Sequence, residues 1–310
     1  MEIVRGLVNA RSADRGCALT IGNFDGVHLG HLEILRRLRE AARLQGLPLT
    51  VVTFEPHPRE RLAPDEAPPR LMRVRDKALR LAEAGVDRLL VLRFDERLQG
   101  WSAEEFARAV LVEGLGARHV AIGVGFRFGR GRQGSVETLR SIGARHGFAV
   151  EEVPPVDFEG ERISSTRVRQ ALEVGRLDEV GSLLGRNFRV TGRVVSGQRL
   201  GRQLGFPTAN LRLHRRRSPV RGIFAVRVQA EGSGPVAGVA SVGTRPTVGG
   251  TEVLLEAHLF DWQGDLYGRY LAVDFVARLR DELRFDNLEQ MVERMHVDAR
   301  EARAVLGLAP

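Results

Sequence analysis

The hydrophobic period of this chain changes once, near residues 184–187, and that change constrains its fold more than any other feature. Before it, short apolar runs alternate with stretches whose apolar residues recur every three to four positions. The runs are C-A-L-T-I-G (17–22), L-T-V-V-T-F (49–54), R-L-L-V-L (88–92), H-V-A-I-G-V (119–124) and F-A-V-E-E-V (148–153). Residues 29–45, 73–84, 103–114 and 135–146 carry the helical spacing, as with Leu32, Leu35, Leu38 and Ala42. Parallel strands need a crossover, usually a helix, so this alternation predicts a parallel sheet covered by helices. Ser102 followed by Glu105 predicts a capping box opening the third helix.

After Leu184-Gly185 the apolar residues alternate with period two. Segments 188–195, 222–230, 236–242, 252–260 and 270–279 are separated by Gly-, Pro- and Asn-containing turns. Evenly spaced short strands predict a small antiparallel β-barrel, and Leu288 to Leu306 reads as a terminal helix packed on it. The expectation is two domains, 1–184 and 187–310, each long enough to bury a core.

Bulk features narrow the function. Cys17 is the sole cysteine, which excludes an intramolecular disulfide and a Cys-based metal site and fits a reducing cytosol. The first residues lack a signal pattern and no apolar run reaches spanning length, so a cytoplasmic protein without a membrane partner is expected. The net charge is +8, yet Lys77 is the only lysine. The arginines are interspersed with acids, as in R-R-L-R-E-A-A-R, so solvated helix faces and phosphate ligands are expected rather than nucleic acid. Self-association is compatible with this composition.

In parallel sheets ligands gather at the carboxyl ends of strands. There lie Gly22-Asn23-Phe24-Asp25-Gly26-Val27-His28-Leu29-Gly30-His31 and Thr53-Phe54-Glu55-Pro56-His57-Pro58, the latter opening a Pro-rich loop over 55–72. His28 and His31 share one face of a helix's first turn. Two imidazoles and a helix N-terminus aimed at one point suit the charge that develops on phosphorus during in-line attack. A tight turn with two incidental histidines is the plainer alternative. In Ile163-Ser164-Ser165-Thr166-Arg167-Val168-Arg169, a hydroxyl at a helix start is ordinarily an N-cap. Three hydroxyls followed by arginines exceed what a cap needs and suit triphosphate oxygens. Gly129-Arg130-Gly131-Arg132-Gln133-Gly134, with Glu151 and Glu152 beyond it, satisfies the G-x-G-x-x-G pattern of a dinucleotide-binding oxidoreductase. That is the runner-up reading, because Phe126-Arg127-Phe128 separates these glycines from the strand.

The second half lacks the P-loop and the protein-kinase motifs. It has Gly201-Arg202-Gln203-Leu204-Gly205-Phe206-Pro207-Thr208-Ala209-Asn210, where glycines at 197, 201 and 205 suit a phosphate-binding flap. Pro207 fixes the backbone ahead of Thr208. Thr208 and Asn210 offer hard oxygen ligands to Mg²⁺, although a turn with two hydrogen-bonding side chains explains P-T-x-N equally well. In E-V-L-L-E-A-H-L-F, alternation puts Val253, Leu255, Ala257 and Leu259 on one face, and Glu256 and His258 on the other. Glu256 is then a candidate general base, or a solvated carboxylate.

G-N-F-D-G-V-H-L-G-H, T-F-E-P-H-P, G-F-R-F-G and I-S-S-T-R-V-R resemble the adenylyltransferase half of the prokaryotic bifunctional riboflavin kinase/FAD synthetases. His28-Leu29-Gly30-His31 matches the H-x-G-H signature of the nucleotidylyltransferases. G-R-Q-L-G-F-P-T-A-N-L, G-V-A-S-V-G-T-R-P-T, L-E-A-H-L-F-D, D-L-Y-G-R-Y and L-R-D-E-L-R-F resemble the riboflavin kinase half. The resemblance implies a Rossmann-like domain followed by a barrel, and riboflavin converted to FMN and then FAD with ATP and Mg²⁺. It assigns ATP in the first domain to Gly22, Phe24, Asp25, Gly26, His28, Gly30, His31, Ser164, Thr166 and Arg167. It places flavin near Phe54, Pro56, His57, Pro58, Phe126, Arg127 and Phe128, though His57 between two prolines serves equally as a turn residue. In the second domain it assigns ATP to Gly201, Arg202, Gly205, Pro207, Thr208 and Asn210, with Mg²⁺ on Thr208 and Asn210. Glu256 becomes the base for the ribityl hydroxyl, and Arg278, Arg280 and Phe285 border the flavin. One position departs: Gly125 stands where the family usually has Asp or Asn. A flavin carrier without catalysis is the alternative of another class, and the intact His28, His31, Thr208, Asn210 and Glu256 argue against it.

Overall fold

The computed structural model describes residues 1–10, 16–196, 201, 204–213, 217–247 and 250–309, without the side chains of 245–247 and 250–252. It forms two compact units, Met1–Pro68 with Met72–Ser164, and Ser165–Pro310 with Pro69–Leu71.

The first unit runs β1 (Glu2–Arg5), β2 (Cys17–Ile21), α1 (Leu29–Gln45), β3 (Leu49–Glu55), α2 (Pro58–Leu62), α3 (Val74–Glu83), β4 (Arg88–Arg93), α4 (Glu96–Gly100), α5 (Ala103–Phe106), β5 (Ala117–Gly123), α6 (Val136–His146) and β6 (Ala149–Val153). A two-stranded hairpin, β7 (Asp157–Phe158) and β8 (Glu161–Arg162), follows. The sheet order is β1-β4-β3-β2-β5-β6 and every pair in it is parallel. All five residues of β2 are buried, as expected of a strand covered on both faces. Cys17, Leu19 and Ile21 pack with Val110, Leu111 and Leu139. Ala18 packs on the opposite face with Leu35, Leu38 and Leu81. The chain winds one way from β2 to β3 and β4, and the other way from β5 to β6. The crevice outside β2 and β5 is therefore the switch point where such sheets bind ligands.

The capping box at Ser102 and Glu105 is present. Beyond it the expected helix over 103–114 changes from α to π geometry across Ala107–Gly114, burying Ala107, Val110 and Leu111. Strand β1 escapes the periodicity argument because it is four residues long with only Val4 buried.

The second unit opens with α7 (Ser165–Glu173) and α8 (Leu177–Leu184). Six strands follow: β9 (Phe188–Val195), β10 (Ala209–Arg212), β11 (Gly222–Ala230), β12 (Pro235–Thr247), β13 (Gly250–Leu259) and β14 (Tyr270–Arg280). They close an antiparallel barrel in the order β10-β13-β12-β11-β14-β9, which leaves no open edge. Val190, Leu211, Phe224, Val226, Leu255, Val273 and Phe275 are all buried in this unit. Helix α9 (Leu288–Val305) covers part of the outside, with Ala302 and Leu306 against Ala225, Ala237 and Phe260.

The compact division at Ser164/Ser165 and the change of period near 184–187 are different boundaries. Helix α8 buries Leu177, Val180, Leu183 and Leu184 and packs on β9 and β14. A helical period reveals an amphipathic face but not which neighbour covers it.

Candidate active sites

The turn from β2 into α1 is held in uncommon backbone conformations. Phe24 has φ 48°, Gly26 φ 88° and Val27 φ 41°. Such positions cost about 1–3 kcal/mol each for non-glycine residues and persist only when the surroundings fix them. Four contacts do so. Gly22 N–H donates to Val52 O (3.0 Å). Met72 N–H donates to Asp25 Oδ1 (3.0 Å). Lys77 Nζ donates to Asn23 O (2.5 Å), and Thr53 Oγ1 donates to the same carbonyl (3.3 Å).

His28 is the N-cap of α1, with Nδ1 accepting from His31 N–H at 3.3 Å. That bond needs a lone pair on Nδ1, so the proton of neutral His28 sits on Nε2. The imidazoles of His28 and His31 stack at 3.7 Å, and His31 lies 4.7 Å from the Phe24 ring. A Cβ on Gly30 would come within 3.2 Å of the His28 ring, and one on Gly22 within 3.1 Å of Phe24, so both glycines make room for the rings. His31 Nδ1 is buried and makes no hydrogen bond among the described residues. Burial above all, then the charges of His28 and Lys77, holds the His31 pKa well below the ordinary histidine value.

A cavity of about 230 Å³ lies at this turn, lined by Gly22, Phe24, His28, Gly30, His31 and Ser164. Residues 123–126 and 153–156, leaving β5 and β6, complete its wall with Arg162 and Ile163. The sequence reading missed 153–156, for which the carboxyl ends of neighbouring strands were the available signal. Asp25 and Gly26 are buried and do not line the cavity. Thr166 and Arg167 belong to the second unit, where Arg167 Nε pairs with Glu179 Oε1 at 2.9 Å.

The candidate flavin residues form an aromatic cluster. Phe126 stacks on Phe128 (5.5 Å), Phe128 meets Phe106 edge-on (5.9 Å), and Phe54 lies 6.3 Å from Phe106. Phe128 is buried in the core, whereas Phe54 and Phe126 are half-buried and Arg127 is exposed. His57 N-caps α2, accepting from Arg59 N–H at 3.2 Å, with Pro58 in the first turn. Gly125 has φ 77° and open space where a Cβ would stand.

The G-x-G-x-x-G stretch does not present a phosphate nest. Phe128 and Gly134 exchange backbone hydrogen bonds, and the N–H groups of Arg130, Arg132 and Gln133 donate to Trp101, Gly129 and Arg130 carbonyls. A Cβ on Gly134 would stand 2.7 Å from Ala103 Cβ, which accounts for that glycine by packing.

In the second unit the candidate groups meet through strand register. Asn210 in β10 is directly opposite Glu256 in β13, and Ser241 in β12 is opposite Glu256 on its other side. Val253, Leu255, Ala257 and Leu259 are buried, while Glu256 and His258 are half-buried on the alternate face. Thr208 immediately precedes β10, and Asn210 Nδ2 donates to Thr208 O at 3.4 Å. His258 Nδ1–H donates to Pro207 O (2.9 Å), and Phe206 packs on His258 and His296. Gly201 could carry no side chain, because its Cβ would lie 2.3 Å from Phe206 O. Gly205 adopts φ 80°. Arg202 and Gly197 lie outside the described residues.

A cavity of about 320 Å³ adjoins Pro207, Thr208 and Ala209, walled by Val194, Leu259, Trp262, Asp265, Leu266 and Tyr267. Trp262 Nε1 is buried there without a hydrogen-bond partner among the described residues. Arg278 pairs with Asp281, and Arg280 makes a two-pronged pair with buried Asp298 of α9 (2.5 and 2.8 Å). Phe285 is half-buried.

Residues 10–167 match the FAD synthetase family model, and residues 184–306 match the riboflavin kinase model. The chain is 50% identical to the bifunctional riboflavin kinase/FMN adenylyltransferase of Pseudomonas fluorescens, over 98% of both chains. It is 46% identical to the protein of that name from Escherichia coli K12, over 99% of both. A solved Streptococcus pneumoniae chain, described as a macrolide-efflux protein, superposes with TM-score 0.81 at 31% identity, over 96% of this chain and 97% of that one. Among the described residues no helix is long and apolar enough to cross a membrane. The chain belongs to the bifunctional riboflavin kinase/FMN adenylyltransferase family.

Proposed function

We propose that AMP transfer takes place at His28 and His31 and phosphate transfer at Thr208, Asn210 and Glu256. The chain phosphorylates riboflavin to FMN and adenylylates FMN to FAD with release of pyrophosphate. The observation that carries this assignment is that each set of groups is gathered within one compact unit.

In adenylyl transfer a phosphate oxygen of FMN attacks the α-phosphorus of ATP, and the bond to the bridging β-oxygen breaks. Charge grows on the phosphoryl and leaving oxygens. The protein supplies oriented donors and no covalent nucleophile: His28 Nε2–H, His31 and the N–H groups of the turn and helix start. A polyanion beside His31 opposes the effect of burial and favours its protonation. Ser164, Thr166 and Arg167 are assigned to the triphosphate, and Phe54, Phe126 and their neighbours to the flavin.

In phosphoryl transfer Glu256 accepts the proton of the ribityl hydroxyl as its oxygen attacks the γ-phosphorus, and ADP leaves. Thr208 and Asn210 are hard oxygen donors close together in the chain and would hold Mg²⁺. Among the described residues no group of three His, Cys, Asp or Glu could hold a metal. Held there, Mg²⁺ would supply positive charge to offset that developing on the transferring oxygens. Arg278 and Arg280, already paired with carboxylates, border the flavin with their stems rather than as free charges.

The functional domains are proposed as 1–184 and 187–310. A cytoplasmic location and the absence of a nucleic-acid partner fit buried Cys17 and the many arginines paired with acids, such as Arg37 with Glu33 and Arg303 with Asp261. Incubation with riboflavin, ATP and Mg²⁺, followed by chromatography of the flavins, tests the assignment: FMN should appear first and FAD after it. Bound flavin without either product would favour the carrier.

A further inference from the structure

We infer that Lys77 is a positioning residue for adenylyl transfer: its buried ammonium group fixes the Asn23 carbonyl and thereby the direction of the Phe24 N–H. The inference rests on the reading of residues 22–31 as the AMP-transfer site.

Of the 47 lysine and arginine residues in the chain, Lys77 is the only lysine. The one lysine is only 5% exposed, an uncommon place for an ammonium group, whose desolvation is costly. A guanidinium is a broad planar fork, whereas an ammonium is a compact charge that fits beneath a single carbonyl. Lys77 Nζ lies 2.5 Å from Asn23 O and 3.3 Å from Thr53 Oγ1, and the fully buried Thr53 donates to the same oxygen. The two side chains thus converge on one peptide of the phosphate turn.

In a planar trans peptide the C=O and N–H point in opposite directions. Holding Asn23 O toward Lys77 therefore turns the Phe24 N–H away from it. Phe24 lines the nucleotide cavity, and its N–H makes no hydrogen bond among the described residues. Phe24 also sits at φ 48°, a conformation that a phenylalanine does not select by itself. If the clamp were removed, a flip of the Asn23–Phe24 peptide would exchange the two groups, setting a carbonyl where an anion must bind.

The test is Lys77→Met in the full chain, which keeps the stem and removes the charge and all three donors. Misdirecting one donor should lower kcat for FMN adenylylation about 10²-fold, with the KM for ATP changed far less. Riboflavin phosphorylation by the same preparation should be unchanged. In Lys77→Ala, ethylammonium should restore adenylylation in proportion to its concentration, while tetramethylammonium, which has no N–H, should not. A Lys77→Met kcat within threefold of the parent, or no restoration by ethylammonium, overturns the inference. Should Lys77→Met lose the first unit's thermal transition, Thr53→Val decides instead. It keeps the side-chain shape and removes only the shared hydroxyl; several-fold lower kcat supports the inference, and an unchanged kcat overturns it. If replacing both His28 and His31 leaves adenylylation intact, the site reading itself fails. If that variant is inactive while Lys77→Met is normal, only the role of Lys77 falls.

Discussion

In the first unit the proposed catalytic groups come largely from one continuous stretch, residues 22–31, where a parallel sheet changes direction. In the second they come from strands far apart in sequence, and Asn210 meets Glu256 only because β10 pairs with β13 in one register. The first arrangement depends on a few unusual backbone angles, at Phe24, Gly26 and Val27. The second depends on ordinary strands paired correctly, since a slip of one residue would turn Asn210 toward the barrel interior. A single side chain can therefore spoil the first site's backbone, whereas the second is protected by the whole barrel and exposed mainly through its reacting groups.

The sharpest way to break this contrast is to remove both imidazoles. His28→Ala with His31→Ala should abolish FAD formation, at about 10²–10³-fold per donor, while riboflavin phosphorylation continues. Near-normal adenylylation of supplied FMN would remove these residues from the mechanism. Next in size, Glu256→Gln keeps the volume and an acceptor but cannot take the proton. Riboflavin phosphorylation should fall roughly 10²–10⁴-fold with ATP binding preserved by calorimetry and FAD synthesis from supplied FMN intact. Loss of that second activity would show that the two sites are not independent.

A smaller effect belongs to the first unit alone. The His31 pKa is depressed on folding, so the unfolded chain takes up this proton first as pH falls. Stability from this group is complete above the unfolded value near 6.5 and declines below it, by up to about 1.4 kcal/mol per pH unit. Thermal unfolding between pH 7.5 and 5.5 should show that decline, and His31→Gln should flatten it. The smallest effect is expected at Gly125, where φ is 77° and a Cβ meets nothing. Gly125→Asp should cost less than about 1 kcal/mol, because Asp tolerates this conformation, and Gly125→Val should cost more. Equal melting-temperature losses for the two would rule out the conformational explanation.

The same contrast explains what could be read in advance. Residues 22–31 were legible because glycines, histidines and a helix start stand together in the chain. The alternation in β13 correctly separated buried Leu255 and Ala257 from Glu256. Strand β10 was not legible, being four residues, A-N-L-R, whose partner is fixed only by barrel closure. Residues 153–156 line the cavity beside His28 and His31 through the neighbouring positions of β5 and β6, which sheet order alone determines. Lys77 was conspicuous as the sole lysine, but its burial was hidden within the polar run R-V-R-D-K. The φ of 77° at Gly125 was likewise not legible, although glycine, Asn and Asp share a tolerance for the left-handed region.

The chain has two tryptophans, and the fold places one in each unit. Trp101 packs against the same core cluster as Phe54 and Phe126, whereas Trp262 forms part of the wall beside Thr208 with its indole nitrogen buried. Indole emission responds to local polarity and is quenched by a nearby isoalloxazine. On the proposed assignment of the two sites, the molecule would carry a separate intrinsic fluorophore for each half-reaction. Replacing either indole with phenylalanine would leave the other to report its own half, so that ligand arrival at the two sites can be followed optically in an unlabelled enzyme during turnover.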